Sequence, residues 1–277
     1  MPLGCVRSHK REARMAEFEF RQAAAAGYDR TVAALMNQSI PLLLEAARLA
    51  PGHRVLDVAT GTGLAAEAAV AVVGPDGSVV AADISRDMVE QARTQLSRFP
   101  NVSVAVEDGQ ALSFPQGSFD AVVCNMGLMF FPDPARGLSE FRRVLRPNGR
   151  AAVSVNTTPE RSLVTRINVV IGRYVPSLAP AAARLFSLGD EQHLRGLFAQ
   201  AGFGDVEVFT QVKRASFSSF DAYFEPVEKG GGSPGQAYVT LPEETRRAVR
   251  EEVRHELGDT GGTIEIEVEL RFACGRR

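Results

Sequence analysis

Five short apolar runs divide the chain between residues 54 and 155: RVLDV, SVVAADIS, NVSVAVED, AVVCNM and RAAVSV. Apolar residues at helical spacing fill three of the intervals, at 64–74, 85–98 and 134–146. Short apolar strands that alternate with helices predict a parallel sheet covered on both faces. Because crossovers are right-handed, the carboxyl ends of the strands should meet at one edge, where ligands bind.

The segments on either side of this core are also periodic. Residues 30–49 have apolar positions at helical spacing, and Pro41 predicts that this helix is kinked or divided. Residues 156–200 indicate helices, and 205–213 indicates a sixth strand. Strict alternation over 264–272 predicts a seventh strand with one charged face, paired with the sixth as an antiparallel edge hairpin.

Composition narrows the class of protein. The 277 residues have a net charge of −2, which gives no electrostatic footprint for nucleic acid. No apolar stretch reaches the ~18 residues of a membrane span, and the N-terminus lacks the apolar region of a secretion signal. The three cysteines, Cys5, Cys124 and Cys274, have no metal-ligand spacing and favour a reduced, cytoplasmic protein. Cys124 lies in an apolar run and is expected in the core.

The strongest local signal is the segment DVATGTG, from Asp57 to Gly63, between a predicted strand and a predicted helix. Gly61 and Gly63 allow positive φ and a close approach of backbone to a ligand. The start of the following helix offers unpaired N–H groups to a polar ligand. The spacing Gly61-x-Gly63-x-x-Ala66 also satisfies the dinucleotide fingerprint, so this loop alone does not identify the ligand.

Three carboxylates at the ends of successive strands sharpen the choice. Asp57 could meet a cationic amine, whereas the pyrophosphate of a nicotinamide cofactor would be repelled there. Asp83 lies twenty residues after Gly63, where an acid can accept both ribose hydroxyls, as it also does in NAD enzymes, or it only caps the following helix. Asp108 is placed to accept from an adenine amino group, or is a turn aspartate.

The sequence resembles the class I S-adenosylmethionine-dependent methyltransferases, particularly the ubiquinone and menaquinone branch. The matching pieces are VLDVATGTG, AADISRDMVEQAR, VEDGQALSFPQGSFDAVVCNMGLMFFPDP, FRRVLRPNGRAAVSV and LRGLFAQAGFGDVEV, which together cover about 30–217. The resemblance implies a Rossmann-like seven-stranded α/β sheet, mostly parallel with an antiparallel last strand and helical lid insertions. It also implies S-adenosyl-L-methionine as the cofactor and methylation of a small acceptor as the reaction.

The resemblance further implies a set of cofactor-binding residues: Asp57, Ala59, Gly61, Gly63, Asp83, Ile84, Met88, Asp108, Gly109, Gln110, Asn125, Met126 and Tyr28. Tyr28 precedes the first helix, where related enzymes fold a segment over the cofactor, and is either a pocket residue or a packing residue. In this assignment the glycine loop surrounds the methionine part, and Asp83 holds the ribose. Ile84 and Met88 flank the adenine, Asp108 and Gln110 meet its edge, and Asn125-Met126 line the pocket near the sulfonium. Two positions depart from the family pattern, which more often has glycine at Ala59 and Asn148.

The acceptor site is less defined. Phe130 and Phe131, after the fourth strand, are either pocket wall or core, and Phe186 and Tyr223 belong to segments expected to cover the acceptor. These aromatic residues favour an apolar or aromatic acceptor, although such residues often only build the core. No catalytic base is assigned, because His9 lies in the tail, His53 at the wrong end of the sheet, and His193 and His255 on polar helix faces. No metal site is expected.

Two alternative functions remain at this point. A nicotinamide-dependent reductase would use the same glycine loop, but the Tyr-x-x-x-Lys pair expected of one does not occur. A methyltransferase-fold protein with non-methyl chemistry is also compatible with the lack of an assignable base. The sequence does not indicate an oligomeric state.

The patterns predict the following division of the chain: a disordered basic tail at 1–14, an N-terminal helical segment over the cofactor at 15–50, a cofactor-binding core at 51–155, a helical cover with a connecting helix at 156–200, and C-terminal strands with a lid insertion around 218–260 at 201–277. Within the insertion, GGGSPG at 230–235 is expected to be a loose loop rather than a lid hinge.

Overall fold

A computed structural model describes residues 39–162, 165–230 and 232–277. Its seven strands are β1 (Arg54–Val58), β2 (Ser78–Asp83), β3 (Val102–Val106), β4 (Phe119–Asn125), β5 (Leu145–Asn156), β6 (Gly204–Phe217) and β7 (Ile264–Arg276). They form one sheet in the order β3-β2-β1-β4-β5-β7-β6. Strands β1 to β5 pair in parallel, and β7 pairs antiparallel with both β5 and β6. The predicted Rossmann-like sheet with an antiparallel last strand is confirmed.

Helices in the described ranges are α1 (Ile40–Ala46), α2 (Leu64–Val73), α3 (Arg86–Leu96), α4 (Pro134–Val144), α5 (Thr165–Tyr174), α6 (Ala179–Arg184), α7 (Glu191–Gln200), α8 (Phe220–Glu228), α9 (Gly232–Val239) and α10 (Glu243–Glu256). None of them is long and apolar enough to cross a bilayer. Pro41 lies in the first turn of α1, where backbone N–H groups have no helical partner, so the missing N–H of proline costs no hydrogen bond. The expected tail, most of the predicted N-terminal helical segment and Tyr28 lie outside the described residues.

The helices cover the sheet on both faces because strand side chains alternate. On one face, Val55 of β1 packs with α1, α2 and α3 in one buried cluster. On the other face, Leu56 and Val58 pack with α4 and α7, including the fully buried Phe141 and Phe198. Cys124 is also fully buried, as predicted, and burial raises the pKa of its thiol.

The β6–β7 hairpin extends beyond the rest of the sheet. Strand β7 pairs with β5 only from Leu270 to Arg276, whereas its pairing with β6 continues to Ile264 opposite Phe217. This extension rises past the carboxyl end of β5 and packs with α5, α8, α9 and α10 around a separate apolar cluster. The alternation predicted over 264–272 is confirmed, since Ile264, Ile266 and Val268 are buried and the glutamates between them face outward. We call this unit the cap.

The structure corrects the prediction of a loose loop at 230–235, because helix α9 begins at Gly232. Pro234 falls in the first turn of this helix, where proline is tolerated. Gly235 packs against the preceding turn, and a Cβ atom there would lie 2.5 Å from the carbonyl carbon of Gly230. Strand β5 also begins earlier than predicted, at Leu145, and Asn148 adopts a φ of 67° within it.

Candidate cofactor site

The carboxyl ends of β1, β2 and β4 meet at the point where the strand order reverses. From β1 the chain proceeds outward to β2 and β3, and then returns to place β4 on the other side of β1. In open α/β sheets this crevice is the preferred ligand site. Asp57, Asp83 and Asn125 lie at or next to these strand ends.

The loop after β1 contains three residues in the left-handed region: Ala59, Gly61 and Gly63, with φ of 56°, 57° and 95°. The two glycines are needed for different reasons. A Cβ atom on Gly63 would lie 2.9 Å from Cδ1 of Leu96, so this glycine allows α2 and α3 to pack. A Cβ atom on Gly61 would meet no atom of the described residues within 4 Å, so Gly61 presents bare backbone to open space among them.

Ala59, where the family more often has glycine, fits because its neighbour has no side chain. A Cβ atom on Gly127 would lie 2.5 Å from the methyl carbon of Ala59 and 2.8 Å from Sγ of Cys124. Gly127 therefore provides the space that the methyl group of Ala59 occupies.

Asp57 is completely buried beneath this loop. Its Oδ2 accepts a hydrogen bond of 2.5 Å from the hydroxyl of Thr60, whereas its Oδ1 has no hydrogen-bond partner of good geometry within the described residues. Burial raises the pKa of Asp57 to about 7, although the Thr60 hydroxyl and the Ala66 amide favour the ionised form. A buried carboxylate oxygen without a partner is costly, and a cationic donor would relieve that cost.

Asp83 ties the end of β2 to the glycine loop. Its Oδ2 accepts from the amide of Gly61 and its Oδ1 from the amide of Ser85, each at 2.9 Å. Burial raises the pKa of Asp83, and these amides oppose the increase. Ile84, the next residue, is 50% exposed despite being a large apolar side chain, and Met88 is half-buried in α3.

The segment after β3 is held mainly by the protein itself. Asp108 accepts from the amide of Gln110 at 2.9 Å, and Oε1 of Gln110 accepts from the amide of Asp133 at 2.7 Å. Gly109 lies directly under the ring of Phe131, where a Cβ atom would clash. The side-chain oxygen of Gln110 is thus used in a hydrogen bond to the backbone, and the Phe131 ring packs against Gly109.

Asn125 and Met126 are held by β5. Oδ1 of Asn125 accepts from the hydroxyl of Ser154 at 2.7 Å, and the amide of Met126 donates to the carbonyl oxygen of Ser154 at 3.1 Å. Met126 has a φ of 55°, so it turns the chain sharply at the end of β4. Thr60 and Ser154 are not among the site residues predicted from the sequence. The position of Thr60, three residues after Asp57 in the same turn, could have indicated a hydrogen bond from its hydroxyl to the carboxylate.

Of the four aromatic residues predicted for the acceptor pocket, Phe130 and Phe131 pack on the sheet face covered by α4, whereas Tyr223 lies in the separate cluster of the cap. Phe131 packs edge-to-face on Phe141 at 6.1 Å between ring centroids, and Phe130 is half-buried beside it. Phe186 is half-buried after α6. Tyr223 is 4% exposed in the core of the cap, 5.4 Å from the ring of Phe217.

The histidines within the described residues lie away from the crevice. His53 is in the turn before β1, at the opposite edge, and His193 and His255 are exposed on α7 and α10. No group of three or more metal-ligating side chains occurs in the described part of the chain.

Comparison with known proteins agrees with this geometry. Residues 55–149 match a methyltransferase domain family. A demethylmenaquinone methyltransferase from Clavibacter sepedonicus is 34% identical over 202 residues, which are 66% of this chain and 80% of that protein. A SAM-dependent methyltransferase from Aquifex aeolicus has the same fold, with a TM-score of 0.51 and 22% identity over 66% of this chain and 86% of its own. The [4+2]-cyclase SpnF also shares the fold, with a TM-score of 0.55 and 18% identity over 87% and 80%.

The switch-point crevice and the glycine loop define a Rossmann-like α/β fold with a ligand site at the carboxyl ends of its strands. With the sequence relatives, they show that the chain belongs to the class I S-adenosylmethionine-dependent methyltransferases and is similar to their ubiquinone and menaquinone branch.

Proposed function

We propose that this chain binds S-adenosyl-L-methionine at the carboxyl edge of β1 and β2 and transfers its methyl group to a small organic acceptor. The observation that carries the proposal is the buried Oδ1 of Asp57, which has no hydrogen-bond partner of good geometry within the described residues. The ammonium group of a methionine moiety supplies a donor with the opposite charge. A nicotinamide dinucleotide would instead bring a pyrophosphate towards this carboxylate, which makes that alternative unfavourable.

The proposed binding pose follows the residues assigned from the sequence. Gly61 leaves room for the donor beside Asp57, and Asp83 would accept from the ribose hydroxyls with lone pairs not used by its two amides. The exposed Ile84 offers an apolar face for adenine, with Met88 behind it and Asp108 at its edge. Asn125 and Met126, fixed by Ser154, would line the pocket near the sulfonium.

The bound cofactor supplies an activated methyl group, which leaves as the acceptor attacks in line and yields S-adenosylhomocysteine. The protein then has to align the two reactants and exclude water, which lowers the barrier by proximity. A general base is needed only if the acceptor arrives protonated, and none is assigned. We propose that the cap and the other helices between β5 and β6 cover the acceptor in the cytoplasmic enzyme.

The acceptor class is inferred to be apolar or aromatic. This inference rests on the similar proteins, which are named for demethylmenaquinone and for ubiquinone/menaquinone biosynthesis, since the aromatic side chains of the cap pack in its own core. Fold and similarity do not fix which atom accepts the methyl group. Carbon, oxygen and nitrogen acceptors therefore all belong in the test.

The first experiment is calorimetry with S-adenosylmethionine and NADPH on the full chain. Saturable binding of the former alone supports the proposal, and binding of NADPH alone refutes it. The second experiment measures S-adenosylhomocysteine formed with reduced quinones, phenols and amines. Tight cofactor binding without turnover of any acceptor would favour non-methyl chemistry. Two observations are compatible with that outcome: the described crevice has no histidine to act as a base, and the [4+2]-cyclase SpnF shares the fold.

A further inference from the structure

A cavity of about 280 Å³ lies at the amino edge of the sheet, opposite the candidate cofactor site. Its polar walls come from Arg48, His53, Asp120, Asn148, Arg150 and Arg276. The arginines come from three separate segments of the chain, since Arg48 follows α1, Arg150 lies in β5 and Arg276 ends β7. The antiparallel course of β7 brings Arg276 directly opposite Arg150 in the sheet.

Arg150 is the most unusual of these residues, because it is only 5% exposed. Its Nη2 lies 3.3 Å from Oε1 of Glu207 and 3.3 Å from Sγ of Cys274. Its Nε is buried and has no hydrogen-bond partner within the described residues. A buried guanidinium N–H without an acceptor is unfavourable, and the planar fork of arginine matches an oxyanion.

Asp120, the acidic side chain in the cavity wall, already has hydrogen-bond partners for both of its oxygens. Asp120 accepts from the amide of Arg54 through one oxygen and from Arg146 through the other, each at 2.8 Å. Asp120 therefore does not satisfy Arg150, and its charge is balanced by Arg146.

Two further carboxylates lie around the cavity. Glu207 is shared, at 3.3 Å from Arg150 and 3.7 Å from Arg48, and Asp205 accepts from Nε of Arg276 at 2.7 Å. Among the described side chains at this cavity, Arg48, Arg146, Arg150 and Arg276 face the three carboxylates Asp120, Asp205 and Glu207. This group has one more positive charge than negative charges, which favours an anion.

We propose that this amino-edge cavity binds a small oxyanion of the phosphate class. The shared chemistry could come from free phosphate or from the phosphate group of a small metabolite. The proposal does not rest on the proposed function, because the cavity and the crevice lie at opposite edges of the sheet.

The test is calorimetric titration of the full chain with inorganic phosphate, against potassium chloride at equal ionic strength. We expect saturable binding of phosphate and none of chloride. Arg276→Gln and Arg48→Gln should each weaken it about tenfold, because each removes a charge-assisted hydrogen bond. Arg247→Gln is the matched control, since this arginine is 73% exposed on α10 and pairs with Glu243. Titration with glycerol 3-phosphate distinguishes the sources, because tighter binding than phosphate would indicate a phosphorylated metabolite.

Arg150→Gln should abolish the binding, and the two exposed positions keep the proposal testable if that variant does not fold. S-adenosylmethionine affinity, measured on the same samples, should be unchanged in Arg276→Gln and Arg48→Gln. Phosphate binding of equal strength in the wild type, Arg276→Gln and Arg48→Gln would overturn the proposal. So would the absence of saturable phosphate binding to a folded wild type, whether or not that protein binds S-adenosylmethionine.

Discussion

Replacing Asp57 by asparagine removes a charge that the fold buries without full compensation. The pKa of this carboxyl is raised from 3.8 to about 7 in the folded chain. Between these values the unfolded state is ionised and the folded state keeps its proton, so folding stability falls as pH rises. The loss begins above the unfolded pKa and is complete above the folded pKa.

The pKa difference corresponds to about 4 kcal/mol of lost stability above pH 7, of which about 2 kcal/mol falls between about pH 5.5 and 8.5. The asparagine side chain would be neutral at both pH values and could still accept from the Thr60 hydroxyl. We therefore expect the stability of Asp57→Asn, relative to wild type, to improve by about 2 kcal/mol between these pH values. Urea unfolding at each pH measures this difference, and contributions of other groups largely cancel.

The same substitution should weaken S-adenosylmethionine binding at least about tenfold, because a charge-assisted hydrogen bond to the ammonium group is lost. In the wild type, affinity should rise as pH increases towards 7, while Asp57 ionises, and this rise should be absent from Asp57→Asn. The exposed Asp87→Asn serves as control and should change neither quantity. A stability difference between Asp57→Asn and wild type that stays constant from about pH 5.5 to 8.5 would refute the reasoning.

Four further predictions concern the residues around Asp57. Gly61→Ala should lower folding stability by about 1–2 kcal/mol, because of its positive φ, and should weaken S-adenosylmethionine binding more than tenfold in calorimetry, since the new methyl group enters the open space. Asp83→Ala should weaken the same binding by roughly 1–3 kcal/mol, and an unchanged affinity would mean that the ribose lies elsewhere. Ala59→Gly should be neutral or stabilise by up to about 1 kcal/mol, as relief of positive φ is partly offset by unfolded-state entropy. Gly127→Ala should destabilise the wild type more than the Ala59→Gly background, and equal effects in a double-mutant cycle would contradict the proposed contact.

The sheet could be predicted because its signal is local. Runs such as RVLDV and SVVAAD are buried over nearly their whole length, and each ends at an aspartate or a turn that the sequence displays. Once the strands are parallel, topology alone brings Asp57 and Asp83 to the same edge. The core and the placement of the two carboxylates therefore followed from pattern and chain direction.

The features that could not be predicted depend on contacts distant in sequence. The segment at 230–235 contains four glycines and a proline, yet residues 232–235 begin helix α9, which packs within the cap. Gly127 explains Ala59 only after β4 lies beside β1. Arg150 lies in an apolar strand, and its convergence with Arg276 depends on the antiparallel pairing of β5 and β7.

Strand β7 connects the two ends of the molecule. Its first residues build the cap above the carboxyl edge, and its last residues contribute Arg276 to the amino-edge cavity. Its pairing with β6 continues along almost its full length, and its pairing with β5 covers the half towards Arg276. Coupling between two sites requires an element with two alternative arrangements, and a continuously paired strand in a packed sheet provides only one. If both sites bind ligands, we therefore expect phosphate to change the affinity for S-adenosylmethionine by less than about twofold, and linkage requires the reverse effect to be equally small.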